Sequence, residues 1–130
     1  MIEPDMAALA AERATREDLE QLREACLKVE ELILQGKDYA QWDIRFHTVL
    51  AQCTGNSVVH ALVPIFTQAV PFFIDITRKG LLKQTIDSHR DILEAVCAGD
   101  GQSAAQAMLH HLEDNRRNML DISAKLAKRR

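Results

Sequence analysis

The sequence predicts an all-α protein, an antiparallel bundle of about six helices. Three observations carry this. Apolar residues recur at three- and four-residue steps through most of the chain, the spacing of one helix face. The apolar mass is Ala, Leu, Ile, Val and Met, and aromatics are only 5%, a composition suited to helix–helix interfaces rather than sheets. No strand-like alternation is sustained, and the segments between helices are short. A length of 130 residues fits one domain, residues 1–130, large enough to bury roughly two thirds of the surface the unfolded chain exposes.

Each element has its own signals. Pro4 suits the first turn of a helix running to about Arg13 through the helix-favouring MAALAAERA. Thr15 starts a second helix as N-cap, with Asp18 at the capping-box position. Leu19, Leu22, Cys26, Val29, Leu32 and Ile33 form its stripe, and Gly36 ends it. A third helix is expected from about Asp38 to Cys53, with Trp42, Phe46, Val49, Leu50 and Cys53 inward. Gly55 terminates it, and Asn56 is placed to cap the next. That fourth helix begins near Ser57 and is apolar on most sides, with Pro64 and Pro71 expected to kink or break it. Arg78-Lys79-Gly80 separates it from a fifth, about Leu81 to Ala98, whose stripe is Leu82, Ile86, His89, Leu93 and Val96. Gly99 and Asp100 serve as stop and new cap. The last helix runs from about Gln102 to Lys125, with Ala105, Met108, Leu112, Met119 and Ile122 inward.

Charge and cysteines narrow the function classes. A net charge of -3 argues against a direct nucleic-acid surface, which needs a basic patch. The basic cluster of Lys125, Lys128, Arg129 and Arg130 reads as a solvated tail. Cys26, Cys53 and Cys97 are far apart and lie in apolar helical stretches, so buried reduced thiols are expected. The apolar runs are too short and interrupted to span a bilayer, and the acidic N-terminus is unlike a signal peptide. The expectation is a cytoplasmic protein without membrane contact.

The chemistry-bearing residues are Asp43, His47, His89 and His111. Asp43 and His47 are four apart, so both side chains lie on one helix face, one turn apart. They border the stripe of Trp42, Phe46 and Leu50. His89 and His111 sit mid-helix among apolar neighbours. Buried ionisable groups are costly unless paired or coordinated, and one divalent ion would satisfy all four. One carboxylate and three imidazoles suit zinc, with nickel or another transition metal as further candidates. The competing account is that an i,i+4 Asp–His pair is an ordinary helix interaction and that the histidines are hydrogen-bonded core residues. His60 lacks an i+4 partner and His110 points about 100° away from His111, so neither joins the set.

The segments DIRFHTVLAQCTGN, HRDILEAVCAGD and AAQAMLHHL, in that order, resemble the FCD domain, the ligand-binding C-terminal domain of FadR-type regulators in the GntR family. The carrying residues are Asp43, Phe46-His47, Gly55-Asn56, His89, Gly99-Asp100 and His111. The opening IEPDMAALAAERAT looks like the family's first helix. The resemblance implies a central metal and effector cavity, with Asp43, His47, His89 and His111 as ligands and a small organic acid bound there. It also implies a homodimer, and DNA binding through an N-terminal winged helix-turn-helix domain that residues 1–130 do not contain. Asn115, one turn beyond His111, and Arg78 are the candidate effector contacts. Two other classes remain. A metal-dependent hydrolase would need a positioned general base, and no HExxH motif or spare inward carboxylate stands out. A purely structural dimerisation module would use the histidines as core. An enzyme is not expected.

Overall fold

Local capping chemistry sets where the helices start and stop. The structure is a computed structural model, and it describes residues 2–56, 61 and 82–128. Within these, five helices form: α1 (Ile2–Arg13), α2 (Arg16–Leu34), α3 (Ala40–Cys53), α4 (Leu82–Cys97) and α5 (Gly101–Lys128). No strand occurs among the described residues. The expected fourth helix, with Pro64 and Pro71, lies outside them.

The capping box of α2 is present in both halves. Thr15 Oγ1 accepts from the Asp18 amide at 3.1 Å, and Asp18 Oδ2 accepts from the Thr15 amide at 3.0 Å. At the end of α4, Gly99 adopts φ +70°, where a side chain would be strained. This lets the Asp100 amide reach back to the Ala95 carbonyl at 2.9 Å and the Gly99 amide to Val96 at 3.1 Å, a Schellman closure. Asp100 then caps α5, accepting from the Ser103 amide at 3.1 Å. The start of α3 falls two residues later than the sequence suggests. Asp38 Oδ1 accepts from the Ala40 amide at 3.0 Å, so Asp38 and Tyr39 form a turn before the helix. Helix α5 runs three residues further than expected, to Lys128.

The larger of two core clusters is fed by every described helix: Met6 from α1, Leu22 and Cys26 from α2, Phe46 and Leu50 from α3, Ile92 and Val96 from α4, and Met108 from α5; the smaller holds Val29, Ile33, Tyr39 and Ala40. Ala104 is buried on α5 and the expected Ala105 is only half-buried. The reason lies at Gly101, where an added Cβ would stand 3.2 Å from the Ala8 carbonyl oxygen. α1 therefore crosses close to the start of α5, and the buried stripe follows Gly101, Ala104, Met108 and His111. Helix α1 also packs on α3 and α4, and α2 packs on α3 and α4. Arg13 at the end of α1 donates to the Thr54 carbonyl at 3.1 Å, fixing α1 along α3. Of the cysteines, Cys26 and Cys53 are buried thiols, but Cys97 is partly exposed and its Sγ accepts from Arg23 at 3.7 Å. No helix among the described residues is long and apolar enough to cross a membrane.

Candidate metal centre

Three helices deliver the four predicted residues to one place. Asp43 and His47 stand one turn apart on α3, His89 sits in the middle of α4 and His111 on α5; all four are buried. Phe46 builds the wall between them. Its ring stacks on His89 with centroids 4.3 Å apart and 15° between planes. It meets His47 edge-on at 5.7 Å and 87°. Aromatic packing of this kind fixes ring orientation as well as adding contact.

The three imidazoles each offer a ring nitrogen such that all lie within 4.8 Å of one another. Ligands bonded to zinc at about 2.0–2.1 Å stand at most about 4.2 Å apart, so small ring rotations bring the three within reach of one ion. Asp43 flanks this trio. Its Oδ1 is 3.1 Å from His89 Nε2 and 3.6 Å from His47 Nε2. Despite that proximity, Asp43 Oδ1, His47 Nδ1 and both ring nitrogens of His89 are buried without a hydrogen bond. Buried polar atoms are nearly always satisfied, and leaving several open is costly. A donor set of imidazoles with a carboxylate, left unsatisfied in one spot, fits a divalent transition ion.

The electrostatics are those of a tightly coupled group. Burial would raise the Asp43 pKa, but His47 and His89 outweigh it and hold the carboxyl well below the usual range. Burial would depress His47, but the carboxylates of Asp43 and Glu3 push it up to about 10. Burial, helped by the charge of His89 and His47, pushes His111 well below its ordinary value.

Glu3 is the residue that sequence reasoning missed. No spare inward carboxylate was expected, yet the Glu3 side chain is only 18% exposed and its Oε1 lies 3.3 Å from His47 Nδ1. Burial would raise its pKa, but the contact with His47 lowers it. The signal was present: Glu3 shares the α1 face of Met6, Ala7 and Ala10, at the three-, four- and seven-residue steps.

The remaining expectations divide. His110, left out of the set in the sequence, is exposed and paired to Asp114 at 3.4 Å. Asn115 is half-buried in α5, one turn beyond His111. His60 and Arg78 lie outside the described residues.

Comparison with known proteins places the chain in a family. Residues 1–114 match the family model of the FCD domain. The galactonate operon transcriptional repressor of Escherichia coli is 30% identical over 129 residues, covering 95% of this chain and 55% of that protein. The Uxu operon transcriptional regulator of Escherichia coli is 31% identical over 136 residues, covering 95% of this chain and 51% of that protein. The chain thus spans about half the length of these relatives. A solved Streptococcus agalactiae GntR structure superposes with a TM-score of 0.76 at 28% identity, over 88% of this chain and 52% of that one. The all-helical bundle, the match over residues 1–114 and these relatives together show that the chain belongs to the FCD domain family of GntR-type transcription regulators.

Proposed function

We propose that this FCD domain senses a small organic acid through a divalent metal, zinc first, held by Asp43, His47, His89 and His111. One observation carries the reading: three helices place three buried imidazoles and a carboxylate together and leave four of their polar atoms without hydrogen bonds. When bound, such an ion supplies open coordination positions for an effector carboxylate. The chain's own residues do the rest. Phe46 packs against the His89 and His47 rings, and the Glu3 carboxylate stands as a counter-charge beside the outer nitrogen of His47 without hydrogen-bonding it. Asn115, on the His111 face, is the candidate polar contact to the acid. Because the ligands come from α3, α4 and α5, an acid that binds two helix arrangements unequally would shift the balance between them.

In the full-length regulator that shift would be passed to a DNA-binding domain outside this chain, in a cytoplasmic homodimer. One relative is named for a galactonate operon, and galactonate is a carboxylate, which supports this effector class. Catalysis is not part of the proposal. A hydrolase needs a carboxylate or similar base aimed at the substrate's water, whereas the Glu3 carboxylate stands 3.3 Å from His47 Nδ1 as its counter-charge.

Metal analysis and thermal unfolding of chelator-free protein test the reading. Zinc at a hundred times its Kd stabilises by about 2.7 kcal/mol. At ~2.1 cal/mol/K per residue, 130 residues give a Tm rise of about 10 °C. Galactonate and related acids should then add a further rise that disappears in His89→Ala and His111→Ala. Protein without stoichiometric metal, and with stability unchanged by EDTA or zinc, refutes the sensor mechanism.

A further inference from the structure

A histidine binds a metal through one nitrogen only if the other carries the proton, so whatever sits at the far nitrogen decides which tautomer is ready. At His111 the nitrogen with a buried partner is Nδ1, which lies 3.2 Å from Ser88 Oγ, so Nε2 is the candidate metal nitrogen. Ser88 is itself buried at 4% exposure, one residue before His89 on α4. Adjacent helix residues point about 100° apart, so α4 sends the His89 ring toward Asp43 and the Ser88 hydroxyl toward α5.

The hydroxyl has a single proton, and its other neighbour decides where that proton goes. Ser88 Oγ is hydrogen-bonded to the Gln84 carbonyl one turn back. A carbonyl can only accept, so the hydroxyl must donate there. It then has only lone pairs to offer His111, and Nδ1 must be the donor. The nitrogen left with a lone pair is Nε2.

We propose that Ser88 is a positioning residue that holds His111 as its Nδ1–H tautomer, keeping Nε2 available as the metal-binding nitrogen. The assignment rests on the metal reading given above. It explains why a serine occupies a buried α4 position where alanine would be the better helix former. A purely structural serine at this position would be replaced by alanine without consequence for His111. A tautomer-setting serine would not, because the buried Nδ1–H would lose its acceptor.

The test uses the full chain as wild type, Ser88→Ala and Ser88→Thr, labelled with 15N and stripped of metal. Long-range proton–nitrogen correlation of the histidine rings at mildly alkaline pH reads the tautomer directly. Zinc titration against a chromophoric chelator reads affinity. The expected results are a protonated Nδ1 on His111 in wild type and Ser88→Thr, and loss of that pattern in Ser88→Ala. Zinc affinity should fall by about 10- to 100-fold in Ser88→Ala and recover in Ser88→Thr. A wild-type His111 protonated on Nε2 overturns the proposal without need of any variant. So does a folded Ser88→Ala protein that binds zinc as tightly as wild type. Wild-type protein that takes up no zinc overturns the metal reading itself, and the role given to Ser88 falls with it.

Discussion

Replacing Phe46 by alanine separates a site built by the core from a site merely embedded in it. Phe46 is fully buried, and its ring is the surface on which His89 stacks and against which His47 stands edge-on. Deleting a buried phenylalanine costs about 3–5 kcal/mol through lost transfer energy and the cavity left behind. With an unfolding entropy of about 0.27 kcal/mol/K for a chain of this length, Tm should fall by roughly 11–18 °C. That is a large share of the ~5–15 kcal/mol that holds a typical domain together, so urea unfolding in the cold is the safer assay. The diagnostic quantity is zinc affinity, measured by chelator competition on the folded fraction. His89 and His47 would lose the wall that sets their orientation, and zinc should bind at least about tenfold more weakly, the lower end of what loss of ligand-orienting contacts costs. Leu22→Ala is the control. Leu22 is equally buried in the same cluster, on α2, but touches none of the imidazole rings through an aromatic contact. It should lose about 2–5 kcal/mol and keep its zinc affinity. Equal weakening of zinc binding in both variants, or none in Phe46→Ala, refutes the argument that Phe46 shapes the site.

Two further outcomes follow from charge and capping. In metal-free protein, His47 has its pKa pushed up to about 10, so its contribution to stability is full below its ordinary value of 6.5 and fades as pH rises toward 10. His111 is pushed the other way, so its contribution is present above 6.5 and is lost as pH falls. The lowered pKa values of Asp43 and Glu3 add losses below their ordinary carboxylate values. Denaturant unfolding across pH should therefore show a maximum near neutrality with decline on both sides, and stability that climbs steadily into alkali contradicts the His47 pairing. Thr15→Ala removes one half of the α2 capping box and should cost about 1 kcal/mol, a Tm drop of about 4 °C; an unchanged Tm would mean that packing alone holds the start of α2.

The helix ends were legible because their causes are local. Thr15 with Asp18, Gly36, Gly99 and Asp100 act within a few residues of themselves, and each does in the structure what its neighbours in sequence imply. Where a boundary or face was misplaced, the cause is a contact that sequence does not display. The turn made by Asp38 delays α3. The close crossing of Ala8 over Gly101 selects Ala104 rather than Ala105 as the buried position. Cys97 is partly exposed because it lies in the last turn of α4, where the bundle no longer covers it fully.

The site divides along the same line, and the division follows chemistry rather than distance along the chain. Asp43, His47, His89 and His111 could be found because an ionisable residue on an apolar stripe is anomalous, and helical phase shows the anomaly without any knowledge of packing. Ser88 could not be found that way, and at Glu3 the same anomaly is masked. Ser88 shares its buried face with Thr85 and Ile92, and a small hydroxyl residue there raises no alarm, since it can satisfy itself on its own helix. Glu3 sits in a first turn, where an acidic residue is already explained by the helix dipole. Both have a bland local account that hides a tertiary one. Periodicity therefore finds the groups whose burial is expensive. It misses the groups that make that burial tolerable, because those are cheap where they stand, and only their contacts with His111 and His47 reveal them.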